Sequence, residues 1–270
     1  MIAGQSCIIA IAVAFGIFDY NADTLNPIAF SLGMLAAFAF VLRRMEIRIV
    51  PDMIEIVSLL VALMIITPLC TIVLASINLP VADPLLRGFD HIIFPIFDRE
   101  QIEILLRFDA SILSGLRGAY YSLNFQPFLL IPILCLARSG HRAWHFVAAW
   151  SIALTITALV SPLFPAYGTS PHLIDAVETH MRVRNGSLRS LGADSLRGIV
   201  YFPSFHAAAA VLLGWAFAPI RIIGLPMVFL NSTMFVSAIV CGNHYLVDLL
   251  AGGAVAVLSI HLSGRLLTAR

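Results

Sequence analysis

Eight apolar runs of roughly membrane-spanning length govern what this chain can fold into. They lie at about 2–18, 25–42, 53–78, 120–137, 143–163, 204–219, 222–241 and 243–262. Inside a bilayer every backbone polar group must find its partner within the protein, so such runs form helices. Only 11% of the residues are charged, against about 25% in an ordinary soluble domain. The sequence therefore predicts an all-α fold, a polytopic membrane helix bundle with about eight transmembrane helices.

Charge, cysteine content and residue spacing give no reason to expect a nucleic-acid partner, a disulfide framework or a metal site. The net charge of +1 gives no reason to expect a nucleic-acid partner. The four cysteines form neither a CxxC pair nor a disulfide framework: Cys7, Cys70, Cys135 and Cys241. No group of His, Cys and carboxylate residues has the spacing of metal ligands, so we expect no metal and no cofactor.

Basic residues mark one side of the membrane. They follow the second, fourth, sixth and eighth runs: Arg43, Arg44, Arg48, Arg138, Arg142, Arg221, Arg265 and Arg270. Since positive charge concentrates in cytoplasmic loops, the segments that follow these four runs are predicted to be cytoplasmic, and so are both termini. We expect an integral protein of a bacterial inner membrane, with its other loops on the outer, periplasmic face.

Two of the outer loops are long. The first, at 79–119, contains apolar residues at helical spacing within 101–108, which predicts an amphipathic helix in the membrane interface. That helix is either a lid packed on the bundle or a gate for lipids. The second loop, at 161–203, carries four arginines on the outer side: Arg182, Arg184, Arg189 and Arg197. Long loops tolerate such charge, and a bound anion would explain it.

Two short motifs place histidines at the edges of apolar runs. His206 ends the segment 201–206 (YFPSFH), and His244 belongs to the segment 243–248 (NHYLVD). A separation of 38 residues is about what a chain needs to cross a bilayer and return, at roughly 20 residues per span. Both histidines are therefore predicted to lie on the same, outer face.

His244 and Asp248 form the first candidate pair. Their i, i+4 spacing puts both side chains on one helix face. Asp248 would accept a hydrogen bond from one imidazole nitrogen, fix the tautomer and leave the other nitrogen as a nucleophile. The alternative is a structural His–Asp pair, although burying ionisable groups in a membrane is costly and usually marks function.

Ser204 and His206 form the second candidate pair. Ser204 is a predicted N-cap for the helix that follows, and a helix N-terminus suits a phosphate group. His206, in the first turn, could protonate a leaving oxygen. The alternative for Ser204 is simple capping. Arg184 and Arg189 could neutralise phosphate oxygens, or could only contact solvent and lipid headgroups.

On these residues the chain resembles the type 2 phosphatidic acid phosphatase superfamily, which shares its core with vanadium haloperoxidases. Within it the chain looks like the branch that contains fungal inositol phosphorylceramide synthase. The second family motif matches 203–206, with Phe205 where many members have Gly, and the third matches His244 and Asp248. The resemblance covers about 80–255. We interpret 1–52 as two extra transmembrane helices and 53–270 as the catalytic membrane domain.

The chain departs from the family pattern at its cations. The first motif, a Lys followed by Arg-Pro, is absent, and Ala238 stands where the third motif has an Arg. The branch resemblance implies that Arg184 and Arg189 replace them. Together with Ser204 and Phe205 they form the expected phosphate-binding set.

The resemblance implies an integral membrane phosphoesterase that acts on a lipid or polyprenyl phosphate through a phosphohistidine. In this reading His244 is the nucleophile, Asp248 orients it and His206 is the general acid. Two alternatives remain open. The first is a lipid headgroup phosphotransferase, similar to a sphingolipid or inositol phospholipid synthase. The second is a lipid-phosphate transporter without enzymatic activity. The expected partners are the lipid phosphate and membrane lipids.

Overall fold

The computed structural model describes residues 1–47, 49–95, 109–137, 139–169, 175–197 and 199–268. These residues form eleven α-helices and two short strands. In chain order they are α1 Ile2–Ala14, β1 Asp19–Tyr20, α2 Ala22–Arg44, α3 Ile49–Ala75, α4 Asp83–Ile93, α5 Ala110–Tyr121, α6 Gln126–Leu136, α7 Gly140–Val160, α8 Asp175–Arg184, β2 Ser190–Leu191, α9 Phe205–Phe217, α10 Gly224–Cys241 and α11 Leu246–Thr268. The prediction of an all-α membrane bundle is confirmed.

The predicted number of eight membrane spans is not confirmed. Within the described residues, five helices are long and apolar enough to cross a membrane, namely α2, α3, α7, α10 and α11. A sixth span results if α5 and α6, which meet at a bend of 55°, count as one. The other two runs form helices of only 13 residues, α1 and α9. α9 is short because Pro203 precedes it and Pro219 follows it, and proline disfavours helix continuation.

The core lies where α7, α9, α10 and α11 pack together. Small residues let these helices approach closely. Ala208, Ala209 and Leu212 of α9 are fully buried, and Trp150 of α7 is the largest fully buried side chain. The start of α9, which carries the first histidine motif, is thus held in the middle of the bundle.

Hydrogen bonds and a strand pair attach the N-terminal segment to the rest of the chain. Gln5 of α1 accepts a hydrogen bond from the Thr67 hydroxyl of α3 at 3.1 Å and donates to Thr155 of α7 at 3.4 Å. The two strands pair in parallel, with Asp19 opposite Ser190. These contacts join the first two helices to the bundle and to the second long loop. The division of the chain at 52/53 stays a prediction.

The first long loop, predicted at 79–119, contains α4 and most of α5, two helices at places that the sequence did not indicate. The helix predicted at 101–108 lies outside the described residues, whereas α4 occupies the beginning of the same loop. Pro84 stands in the first turn of α4, where its missing N–H costs nothing. α4 contacts the start of α11 and so adjoins the second histidine motif.

Candidate active site

The two histidine motifs are joined through their backbones. The Ser204 N–H donates to the Asp248 carbonyl oxygen at 3.0 Å, so the start of α9 lies directly against the first turn of α11. Gly252 permits this approach, because a Cβ at that position would stand 2.2 Å from the Ser204 carbonyl oxygen. Residues 44 positions apart in sequence therefore share one site.

His244 and Asp248 are in contact as predicted, although His244 precedes the first residue of α11 and the two side chains do not share a helix face. Nδ1 of His244 lies 3.3 Å from Oδ2 of Asp248, and the Tyr245 N–H donates to the same oxygen at 2.9 Å. His244 is 3% exposed and Asp248 is fully buried. The carboxylate is thus fixed by a backbone amide and by the helix turn, and it holds the imidazole in one orientation.

Ser204 caps α9, as predicted. Its hydroxyl oxygen accepts from the Ala207 N–H at 3.3 Å, and the side chain is fully buried. A cis peptide bond joins Phe202 to Pro203 just before the cap. The Phe205 ring turns into the bundle, with its centroid 5.1 Å from the Trp150 ring. Phe205 could therefore contact a phosphate only through its backbone.

Tyr120 at the end of α5 stacks on His206. The two ring centroids are 3.9 Å apart and the planes differ by 8°. Tyr120 also packs against the apolar cluster that contains Ala238, the position where the family motif has a cation. An aromatic ring and apolar side chains thus surround that position, and the stacking limits the motion of the His206 imidazole.

Two carboxylates of α4 hold the His244 segment. Oδ2 and Oδ1 of Asp90 accept from the Leu246 and Val247 N–H groups at 2.9 and 2.7 Å, which caps α11. Asp83, on the same face of α4, accepts from the Tyr245 hydroxyl at 3.1 Å. The two Asp90 bonds satisfy backbone amides that have no partner inside the helix at its start.

A turn at 167–169 holds the same segment from another side. Asp83 accepts from the Gly168 N–H at 2.9 Å, and Asn243 donates to the Tyr167 carbonyl at 3.0 Å. The Thr169 hydroxyl donates to the Asn243 side chain at 2.6 Å. Gly168 has φ +78, and a Cβ there would lie 2.3 Å from the Asn243 carbonyl oxygen. Only glycine suits this position, so the turn fixes the residue before His244.

Tyr201 places a phenol beside the histidine pair. Its ring centroid is 6.1 Å from that of His244, and its hydroxyl is buried without a hydrogen-bond partner in the described part of the chain. Burial, and then the nearby Asp83 carboxylate, raise the pKa of Tyr201 above its ordinary value. The phenol therefore stays protonated and remains a hydrogen-bond donor.

The two predicted arginines occupy different surroundings. Arg184 is half-buried, and its guanidinium donates to the Leu79 carbonyl at 2.8 Å, close to the start of α4. It also lies near His180, whose pKa falls to about 4, mainly through burial and then through the Arg184 charge. The His180 ring packs on Tyr167 of the turn, at 5.2 Å between centroids. Arg184 is thus linked through His180 to the turn at 167–169, which holds the residue before His244.

Arg189 is exposed and lies at β2. Its side chain donates to the Gly186 carbonyl at 3.2 Å, and its own carbonyl accepts from the Asp19 N–H at 2.7 Å. These contacts connect Arg189 to the strand pair rather than to the histidine motifs. The structure therefore brings Ser204, His206, His244 and Asp248 together, places Arg184 beside Leu79 and His180, and holds Arg189 at the strand pair.

Sequence reasoning missed four side chains around the site: Tyr120, Tyr201, Asp83 and Asp90. The two aspartates had a signal, because a spacing of seven residues puts them on one face of a helix. Tyr201 stands in the first histidine segment, whereas Tyr120, 86 positions before His206, had no spacing that tied it to the site. Within the described ranges, no three His, Cys, Asp or Glu side chains form a group that could hold a metal ion.

The fold and the site define an α-helical integral membrane protein with paired histidines, one of them oriented by a carboxylate. The PAP2 superfamily model matches residues 98–262, more than half of the chain, and the chain belongs to this superfamily. Membership supports a phosphoesterase-type function. No curated protein and no solved structure matches the chain. The resemblance to the inositol phosphorylceramide synthase branch stays a prediction.

Proposed function

We propose that the protein is a membrane phosphoesterase that cleaves a lipid or polyprenyl phosphate through a phosphohistidine at His244. One observation carries the proposal. The Ser204 N–H bond to the Asp248 carbonyl joins a capped helix start to a carboxylate-oriented imidazole. A helix start with open amides and an oriented nucleophile are the two parts that phosphoryl transfer requires.

The first step transfers the phosphoryl group to the protein. Nδ1–H of His244 donates to Asp248, and Nε2 attacks the phosphorus atom. The N–P bond forms while the bond from phosphorus to the alcohol oxygen breaks. His206, as imidazolium, gives its proton to that oxygen, and the alcohol leaves.

The second step releases the phosphoryl group. The neutral His206 takes a proton from water, whose oxygen attacks phosphorus while the N–P bond breaks. The products are inorganic phosphate and free His244. A lipid hydroxyl in the place of water would take up the phosphoryl group as a new phosphomonoester, and with a phosphodiester donor, whose phosphorus keeps one ester bond on His244, it would give a new phosphodiester. Hydrolase and transferase therefore use the same side chains and differ only in the acceptor.

Neutral donors and one cation form the proposed phosphate cradle. The Ser204 hydroxyl accepts from Ala207, so its own proton is available to a phosphate oxygen. The first amides of α9 add backbone donors at the positive end of the helix dipole. In the proposed cradle Arg184 supplies the positive charge. Such donors stabilise the charge that develops on the equatorial oxygens in the transition state.

A product assay tests the proposed function. Purified protein would be incubated with mixed lipid phosphates, with and without an alcohol acceptor, and the products identified by mass. Inorganic phosphate and a free lipid alcohol are expected. A phosphate ester of the acceptor alcohol, formed only when that alcohol is present, would establish the phosphotransferase alternative. Binding without any product would contradict the enzymatic proposal and favour the transporter.

Arg184→Ala is expected to lower kcat/KM, because a charge-assisted contact with the phosphate is lost. The loss corresponds to about 2–4 kcal/mol of transition-state stabilisation. Arg184→Lys should restore only part of the activity, because the two-pronged guanidinium is missing. Arg189→Ala, made separately, tests the second predicted cation. Steady-state kinetics measure all three, with the exposed Arg221→Ala as control. Wild-type activity in both alanine variants would mean that other groups hold the phosphate.

We propose that the site faces the outer, periplasmic side of a bacterial inner membrane, with both termini in the cytoplasm. The basic residues that follow the second, fourth, sixth and eighth apolar runs support this orientation. α7 separates the two faces, because Ser139 precedes its first residue while Ser161, just after its last, bonds the Ile199 carbonyl in the loop that leads to α9.

Single cysteines test the orientation. Ser187→Cys and Ser139→Cys would be placed in a background with the four native cysteines replaced. An impermeant thiol reagent applied to intact cells is expected to label position 187 and not position 139. Labelling of 139 alone would show the inverted orientation, and permeabilised cells provide the control that both thiols can react.

A further inference from the structure

The outer surface of α4 exposes a stripe of large apolar side chains that the proposed chemistry does not use. Leu85, Phe89 and Ile92 recur at intervals of four and three residues, so they share one face of the helix. Ile93 extends the same face. Ile92 is 75% exposed, and the other three are exposed as well.

The opposite face of α4 is fixed to the catalytic segment. Asp83 and Asp90 accept hydrogen bonds from the Tyr245 hydroxyl and from the first amides of α11. Between them, Leu86 is 1% exposed and packs in a cluster with Tyr201 and Tyr245. α4 therefore cannot turn its apolar stripe inward without breaking these bonds.

A third face of α4 is polar. Arg87 and His91 are exposed one turn apart, and Gly88 lies between them and the apolar stripe. A helix with an apolar stripe next to a charged stripe lies in the plane of a membrane surface, with one stripe among acyl chains and the other in water.

The position of α4 in the chain brings it to the level of that surface. It starts eight residues after α3 ends, and it caps α11, so it lies at the ends of two candidate membrane spans. Phe94, just after α4, packs against the cluster that contains Leu116 of α5 and Ala238 of α10. The surface beside these helix ends is the boundary of the bilayer.

We propose that α4 is a membrane-docking helix whose Leu85–Phe89–Ile92 stripe is embedded among acyl chains at the bilayer surface. Through Asp83 and Asp90 it then holds His244 at a fixed height relative to the phosphate groups of neighbouring lipids. The docking itself is independent of the enzymatic function proposed above, and its effect on substrate use rests on that function.

Spin labels at two positions test the docking. Ile92→Cys and Arg87→Cys, each labelled with a nitroxide in the cysteine-replaced background, would be reconstituted into phospholipid vesicles. Arg87 is exposed on the polar face, about half a turn around the helix from the stripe. The label at 92 should collide more often with oxygen, which concentrates among acyl chains, and the label at 87 with a water-soluble nickel chelate.

Two results would overturn the docking. Nickel-dominated collisions at 92 would place the stripe in water. Low collision rates with both reagents at 92 would show that a protein surface, such as a second copy of the chain, covers it. Neither result depends on whether the protein turns over any substrate.

Kinetics test the effect on substrate use. The double variant Phe89→Ser/Ile92→Ser is expected to raise KM for a lipid phosphate in vesicles by roughly an order of magnitude, because less apolar area anchors α4. Its kcat/KM for p-nitrophenyl phosphate in detergent should match that of Gly88→Ser. Equal losses on both substrates, or no change on either, would overturn the coupling. If the wild type cleaves neither substrate, the proposed function fails while the spin-label result still stands.

Discussion

His244→Ala is expected to abolish turnover of alkyl and aryl phosphates alike, whereas His206→Ala should lose mainly the alkyl substrate. Without the His244 imidazole no N–P bond forms, and we expect a loss of about 10⁴-fold or more in kcat. Without His206 the leaving oxygen receives no proton, which costs about 10²–10⁴-fold for an alkoxide. A phenolate leaves unaided, so p-nitrophenyl phosphate should retain part of its rate.

Steady-state rates of the two variants on both substrates measure this difference. His261→Ala is the matched control, because His261 is an exposed histidine of α11 that bonds only the Val257 carbonyl of its own helix among the described contacts. Asp248→Asn should keep the fold and lose activity, since it no longer fixes the productive tautomer. Equal sensitivity of the two histidine variants to the leaving group would remove the basis for their separate roles.

Gly252→Ala is expected to damage both stability and activity, although the change adds a single methyl group. The new Cβ would lie 2.2 Å from the Ser204 carbonyl oxygen and 3.2 Å from the Ala208 amide nitrogen. Both are backbone atoms, so α9 and α11 must separate. We expect a loss of about 1–3 kcal/mol in the free energy of unfolding. The displaced motifs should lower kcat/KM by about 10²-fold.

The neighbouring glycine provides the control. A Cβ at Gly253 would meet only Phe235, at an ordinary 3.8 Å. Gly253→Ala should be neutral or should stabilise the protein by about 0.5–1 kcal/mol, because alanine favours the helix. Thermal unfolding in detergent and kinetics on one lipid phosphate compare the two variants. Wild-type behaviour of Gly252→Ala would contradict the close contact between the motifs.

The positions of four long helices and the contents of the two motifs followed from the sequence. Apolar runs place α2, α3, α10 and α11 within a few residues, since a membrane allows little besides helices. The i, i+4 spacing predicted the His244–Asp248 contact, and the residue after Pro203 predicted the Ser204 cap. Each of these features depends on neighbours within one helical turn.

The surroundings of the motifs did not follow, because their partners are remote. Asp90 bonds the amide of Leu246, 156 residues away, and Asp83 bonds the amide of Gly168, 85 residues away. Every residue except proline has a backbone N–H, so a carboxylate that accepts from backbone amides does not restrict the residue type of its partner. The stacking of Tyr120 on His206 depends on where the bend between α5 and α6 places the ring. Such contacts are properties of the packed bundle.

Trapping the phosphoenzyme tests the central claim most directly. The protein would be mixed with a ³²P-labelled lipid phosphate, quenched in base within one turnover, digested and analysed by mass. We predict a base-stable, acid-labile phosphate on the peptide that contains His244, absent in His244→Ala and present in His206→Ala treated with an aryl phosphate. Phosphate on the His206 peptide, or turnover with no phosphoenzyme in any variant, would contradict the mechanism.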